Sequence, residues 1–308
     1  MCVLNNDQIY DIVADTGIDT FCFIVEKKRA LKLLAKLEIK EGLRLTSRNK
    51  TIDEYTKKKF AKEYPALSPE LDKKCRNRYP FKIRYINFKR GGKSLTNTLI
   101  MLENSQSLNE LCKKNKKAYG TYVEVVFAGL YQPSREILPK THKVLKAFLD
   151  RFKTAYTDLA KDMTTDNDIC NSKENFKKAV ADINEGEIWT ENKTTHYAND
   201  LKDKNIKKVF IYDKYIKETT YHKQRLSTQL KHWKRIEMRV IVKQRWSKYD
   251  KKEIWKYNEI LDQIAGHYSQ LAIFGIYDHM LKKQLAYFED GRRTLKKGIK
   301  FKKLLLTA

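Results

Sequence analysis

The sequence predicts an α/β chain of the α+β type, with mostly antiparallel sheets backed by helices and a helical C-terminal part. Three observations predict it. Short runs rich in aromatic and β-branched residues recur between residues 18 and 246. Apolar residues at helical spacing fill several of the intervening segments. Hydrophobic residues make up 41% of 308, enough for a sizeable core, and no Gly/Ser linker divides the chain.

The elements follow in order. "IDTFCFIVE" (18–26) alternates as a strand, and "KKRALKLLAKLEI" (27–39) spaces Leu31, Leu34 and Leu37 as a helix. Residues 50–78 are charged and tyrosine-dotted, which reads as helix with loop around Pro65 and Pro69. "FKIRYINF" (81–88) and "LTNTLIML" (95–102) form a hairpin with the basic turn "KRGGK" at its tip. "GTYVEVVFAGLY" (120–131) is a strand, and "THKVLKAFLDRFKTAY" (141–156) is an amphipathic helix with Val144, Leu145, Phe148 and Phe152 on one stripe. "YTDLAKDM" (156–163) is strand-like, and a polar stretch (164–174) leads to a helix (174–184). "KVFIYDKYI" and "KRIEMRVIVKQRW" (234–246) are strands separated by a basic segment, and the pattern turns helical from Asp250. This divides the chain into a core over 1–248, with two similar α/β halves at about 1–140 and 141–248, and a basic helical region over 249–308.

Charge narrows the function. Lys and Arg number 64 against 38 Asp and Glu, a formal charge of +26, which points to a polyanionic partner. No basic segment followed by an apolar run opens the chain, and no stretch approaches the roughly 18 apolar residues of a membrane span, so no membrane partner is expected. Five cysteines without CxxC spacing fit a reducing cytoplasm rather than a zinc ribbon or disulfide framework. No two of the six histidines form H-x-H, so a metal here would take carboxylate oxygens and be a hard cation, Mg²⁺ or Mn²⁺. Neither a Walker loop nor GxGxxG is present.

Strand alternation assigns faces. Arg235, Glu237 and Arg239 share one, opposite Ile236, Met238 and Val240. Tyr156, Asp158, Ala160 and Asp162 share another, as do Tyr122, Glu124 and Val126, and as do Phe210, Tyr212 and Lys214. Carboxylates are uncommon inside strands. Glu124, Asp158 and Glu237, if they converge, need arginines or a divalent cation to neutralise them. With Tyr212 they match the parts of one chemistry, transesterification of a DNA phosphodiester by tyrosine. A phenol needs in-line placement and help in losing its proton. A metal held by carboxylates can polarise the phosphate. Lys214 can lower the phenol pKa or hold the phosphate, and Arg235 and Arg239 can clamp its non-bridging oxygens. Lys89, Arg90 and Lys93 at the hairpin tip, with Arg239, Lys243 and Arg245 on the last strand, are candidate DNA contacts.

The order "ID", "YVEVV", "YTDLAKDM", "FIYDKYIKE", "WKRIEMRVIVKQRW", spanning residues 18 to 246, resembles the rolling-circle replication initiator endonucleases of filamentous phages and the related plasmid replication-initiation proteins. The resemblance implies that Tyr212 is the nucleophile, that Asp158, Glu237 and Glu124 bind the metal, and that Lys214 and Arg235 lie near the phosphate. It further implies nicking of one strand at a replication origin, a 5′-phosphotyrosine link and a free 3′-OH that primes synthesis. Origin DNA, single-stranded or supercoiled, and a host helicase and polymerase would be the partners. Before Asp158 the chain reads "AYT", where related proteins often carry an arginine.

Tyr215 is the runner-up nucleophile; on a strand it would point away from the Tyr212 face. Tyr197 in "THYAND" is the third. Two rival functions stay open: a basic DNA- or RNA-binding protein without chemistry, and another phosphotyrosine enzyme, such as a transposase or a mobilisation relaxase.

Overall fold

The computed structural model describes residues 16–41, 44–50, 82–90, 93–94, 99–103, 106–131, 139–163, 169, 172–191, 194–221, 226, 228–249 and 251–266. Most of the 50–78 segment, the run 164–168, the basic stretch 222–225 and the chain from 267 lie outside the described residues. So do the side chains of Lys89, Arg90 and Lys93.

The first half comprises β1 (Thr16–Glu26), α1 (Lys27–Glu41), β2 (Arg44–Lys50), β3 (Lys82–Arg90), β4 (Lys93–Ser94), β5 (Leu99–Glu103), α2 (Gln106–Lys114), β6 (Tyr122–Phe127) and α3 (Pro139–Arg151). The second comprises β7 (Lys153–Met163), α4 (Lys173–Ala179), β8 (Ile188–Glu191), β9 (Thr195–Ala198), β10 (Ile206–Asp213), α5 (Lys214–Ile216) with a π-turn (Lys217–Tyr221), β11 (Lys234–Arg245) and α6 (Lys251–Ala265).

Among the described residues the strands form one sheet in the order β2-β3-β5-β6-β1-β7-β11-β10-β9-β8, with β4 paired to β3. Every pairing is antiparallel, as expected of an α+β fold. Both halves build outward from the centre in the same way. The first strand, β1 or β7, lies beside the last, β6 or β11, and the preceding strands follow in reverse order. A helix follows the first strand, a helical segment precedes the last, and another helix follows it. β1 and β7 pair antiparallel at the centre, as a two-fold axis between the halves would require.

Alternation sends one set of side chains to the core: Phe21 and Phe23 of β1, Phe127 of β6, Leu159 of β7, Ile211 of β10, and Ile236 and Met238 of β11. α1, α3, α4 and α6 lay Leu33, Phe148, Phe176 and Leu261 against them. Phe127 meets Phe23 at 5.9 Å and Phe148 at 5.4 Å, both edge to face. Each fully buried ring contributes about 1.5–3 kcal/mol. Lys161, on this face of β7, forms a buried ion pair with Asp262 of α6, so the helix after residue 249 is tied to the sheet.

Several boundaries differ from the sequence reading: the strand over 120–131 narrows to Tyr122–Phe127, the helix over 174–184 becomes Lys173–Ala179, and two further differences bear on the site. The helix expected over 141–156 ends at Arg151, and Lys153 already pairs with Arg245 as β7 begins. The strand read through "KVFIYDKYI" ends at Asp213, whose carboxylate accepts the Ile216 N–H at 2.7 Å as a helix cap. Lys214 and Tyr215 therefore sit on a helical turn rather than on the strand face of Tyr212.

Candidate active site

The opposite face of the sheet gathers the polar residues. Register places Arg235 beside Asp162 and Tyr212, Glu237 beside Ala160 and Phe210, and Arg239 beside Asp158 and Lys208. The Tyr212 hydroxyl donates to Glu237 Oε1 at 2.6 Å, and both side chains are buried. Burial, and then the Glu237 charge, push the Tyr212 phenol well above its ordinary pKa. Burial alone would raise Glu237 as well. Lys217, Arg235 and the donated hydroxyl outweigh it and hold the carboxyl below its usual value.

Arg235 anchors the site. Nε and Nη2 donate to the two oxygens of Asp162 at 2.6 and 2.7 Å, and Nη1 donates to Asp19 at 3.2 Å. Asp19 enters through a bulge. β1 slips register between Ile18 and Thr20, which leaves Asp19 outside the ladder, turned to the polar face. It also accepts the Tyr131 N–H at 3.3 Å. Burial and then the negative charge of Glu237 raise its carboxyl to about 6. The Tyr131 ring lies 4.9 Å from the Arg235 guanidinium and fits only because residue 17 is glycine: a Cβ there would meet the ring at 2.0 Å.

Two lysines complete the setting. Lys217, from the π-turn, holds its ammonium 4.1 Å from the Tyr212 ring centre. π-turns are frequent at functional sites. Lys214 is buried, donates to Glu218 at 2.7 Å and is lowered to about 8 by burial and the nearby Arg235. Its charge also lowers the carboxyls of Asp19 and Glu237.

The other expected residues stand apart. Asp158 takes Arg239 on both oxygens, each at 2.7 Å. Glu124 accepts Tyr156 at 2.9 Å and Cys22 at 3.2 Å. It lies on β6, three strands from Glu237, a separation of about 14 Å. The structure therefore brings neither carboxylate to Glu237. Among the described residues no group of three or more His, Cys, Asp or Glu is gathered for a metal. Tyr215 donates its backbone N–H to Trp233 and is half-buried, and Tyr197 bonds Glu191 at 3.1 Å on β9. Lys243 is exposed at a second irregularity, with φ 54°. Arg245 is ten residues along β11 from Arg235, about 33 Å. With Arg29, Lys32, Lys36 and Arg151 it lines a cavity of about 540 Å³ floored by Leu33 and Phe152.

Sequence reasoning missed Asp19, Asp162 and Lys217 as site residues. Asp162 was on the correct face but unassigned. Asp19 was hidden by the bulge. The cap at Asp213 was the available signal for Lys217, because it turns "KYIKE" into helix. The chain matches no protein-family model, and no curated protein matches it. No helix among the described residues is long and apolar enough to cross a membrane.

Proposed function

We propose that the chain is a metal-dependent DNA nicking and joining enzyme that starts rolling-circle replication through a covalent tyrosine intermediate. The observation that carries this reading is the 2.6 Å hydrogen bond from Tyr212 to a carboxylate held ionised among cations. A nucleophile within reach of its base, with the base fixed by further groups, is the arrangement that tyrosine transesterification needs. The resemblance of the motif order to that of phage and plasmid initiators supports the same assignment.

In the reaction the phenol oxygen attacks phosphorus as its proton passes to Glu237. The Tyr212 O–P bond forms and the P–O3′ bond breaks, giving a 5′-phosphotyrosine, and the departing 3′ oxygen takes a proton from water to become the priming 3′-OH, while Glu237 returns its proton to solvent. Lys217, over the phenol ring, is placed to receive the incoming phosphate and so uncover the buried hydroxyl. Arg235 positions Asp19 and carries no exposed surface for DNA.

Of the carboxylates, Asp19 and Glu237 fit a hard cation. They are buried together, and Glu237 raises the Asp19 carboxyl by repulsion, which a divalent ion would relieve. Asp158 fits less well because Arg239 occupies both of its oxygens, and Glu124 because it stands three strands from Glu237. Bound there, Mg²⁺ or Mn²⁺ would neutralise charge on the scissile phosphate.

The test is incubation with 3′-end-labelled single-stranded DNA from the chain's own replicon and Mn²⁺, followed by denaturing electrophoresis. A labelled protein adduct that disappears in Tyr212→Phe is expected. Tyr212 is only 4% exposed, which favours a second reading, a nucleic-acid-binding protein without chemistry. Tight binding with no adduct at any metal concentration would establish it.

A further inference from the structure

We infer that the open face of the second half binds single-stranded DNA by stacking its bases on an aromatic ladder that runs from Trp189 to Tyr212. Trp189 of β8 lies 5.0 Å from Tyr197 of β9, Tyr197 lies 5.4 Å from Phe210 of β10, and Phe210 lies 6.0 Å from Tyr212. Successive interplanar angles are 34°, 22° and 16°. Register explains the alignment, since Trp189 pairs with Tyr197 and Tyr197 with Phe210, one ring per strand on the face of Glu237. At these separations the rings are offset rather than fully overlapped. Trp189, Tyr197 and Phe210 remain half-buried, and only Tyr212 is fully buried. Core packing does not require three partly exposed rings in a row.

Charge complementarity commits the face to a nucleic acid. Lys208 holds its ammonium 4.5 Å from the Phe210 ring centre and 5.8 Å from Tyr197, and Lys217 lies over Tyr212. The two middle rings thus share one cation, Lys208, and the Tyr212 end carries another, Lys217. An incoming base takes the ring face and its phosphate takes the ammonium. Stacking tolerates any base, because every base has a π-face. A sheet platform of this kind seats about two or three bases. Duplex bases are stacked on one another, so the partner is single-stranded. Continuity with Tyr212 makes DNA the substrate, and in that respect the inference rests on the proposed function. The ladder would then thread the strand toward the nucleophile.

The experiment uses the full chain carrying Tyr212→Phe, so that nothing is cleaved, and a dT oligonucleotide of about 12 nucleotides. The same length with abasic sugars is the control. Stacking requires dT to bind at least tenfold tighter than the abasic tract at equal salt, with quenching of the Trp189 fluorescence. A further Trp189→Ala change should cost about tenfold or more in dT affinity and leave abasic binding unchanged. Trp189→Phe should keep the affinity and remove most of the quench, because Trp233 and Trp246 are buried and Trp255 belongs to α6, which packs on the opposite face of the sheet. That pair of variants separates stacking from a structural role. Equal affinity for dT and abasic tracts, or unchanged dT affinity in Trp189→Ala, overturns the inference. An rU tract bound tenfold tighter than dT overturns the DNA assignment. An adduct formed by the wild-type chain without any dT preference removes the ladder alone. A dT preference with no adduct removes the nicking function and leaves the platform.

Discussion

Replacing Glu237 by Gln separates its chemical role from its structural one. The substitution keeps the size of a buried side chain that accepts the Tyr212 hydroxyl at 2.6 Å. A charge-assisted hydrogen bond, worth about 1.5–3 kcal/mol, becomes a neutral one worth about 0.5–1.5 kcal/mol. Loss of the charge also relieves its repulsion of Asp19. The variant also loses the attraction of Lys217 and Arg235, which holds the Glu237 carboxyl below its usual value, so the charge is net stabilising and the melting temperature should fall. Loss of a general base costs about 10²–10⁴-fold in rate. The pH dependence is the sharper readout. Glu237 is held below the ordinary carboxyl range, so the wild-type rate should be flat from pH 6 to 9 with respect to this group. In the variant the phenol must ionise unaided. Its pKa lies above 10, so the rate should climb about tenfold per pH unit. The assay is single-turnover adduct formation at saturating oligonucleotide and saturating Mn²⁺, with melting measured on the same preparation. Parallel pH profiles for the two proteins would refute the proton-transfer role. A destabilised variant of normal activity would show that Glu237 only holds Tyr212 in place.

Four other outcomes are expected. Tyr212→Phe should keep DNA binding, lose the adduct, and melt lower because Glu237 loses a buried donor, at a cost of about 1–3 kcal/mol; an adduct of normal yield would move the role to Tyr215. Lys208 is lowered to about 8 by burial and then by Arg239, so affinity for single-stranded DNA should fall as pH rises through 8, the charged form being the one that binds phosphate; Lys208→Arg should flatten that titration, and a flat wild-type curve would remove Lys208 from the interface. Exposed Arg245 lines the basic cavity, so Arg245→Ala should reduce the salt slope of DNA binding by about 0.7–0.9 without changing the melting temperature, and an unchanged slope would place the cavity outside the DNA path. Gly17→Ala drives a Cβ into the Tyr131 ring and should destabilise by about 1–3 kcal/mol in thermal melting, with an unchanged melting temperature contradicting the close approach.

Much of the fold was legible because period-two alternation survives in β1, β6, β7, β10 and β11. These strands also carry the polar face, so their sequence-assigned faces for Tyr156 to Asp162, Phe210 and Tyr212, and Arg235 to Arg239 all coincide in the structure. Short β8 and β9 were invisible, because four residues each give too few alternations to read as strands. The site was half legible. Tyr212 and Glu237 emerged as one acid and one phenol on neighbouring strands. Asp19 did not, because a bulge breaks the parity from which faces are read. Lys214 was placed on the wrong element because a cap by Asp213, a tertiary choice shared with Lys234, ended the strand.

Glu124 and Glu237 looked equivalent in sequence, and the two-half topology gives that likeness a physical origin. Each lies on the last strand of its half, and each accepts a tyrosine hydroxyl, Glu237 from Tyr212 of its own half and Glu124 from Tyr156 of β7 in the other half. Both bidentate arginine–aspartate pairs, Arg239 on Asp158 and Arg235 on Asp162, join β7 to β11 within the second half. The two glutamates differ in what surrounds their tyrosines. Around Glu124 the further contact is the Cys22 thiol, which burial pushes well above its ordinary pKa and so keeps neutral. Around Glu237 stand two more ionisable groups, Asp19 and Lys217, one repelled by the carboxylate and the other attracted to it. A phosphate entering beside Glu124 would meet a carboxylate bonded to a phenol and a thiol, with the nearby Arg239 already held by Asp158. Beside Glu237 it would meet a lysine that can be drawn from a ring face, and a pair of carboxylates whose repulsion a cation would relieve. That difference in local charge, rather than any difference in the tyrosine–glutamate pair itself, is the ground for proposing the chemistry at Glu237 rather than at Glu124.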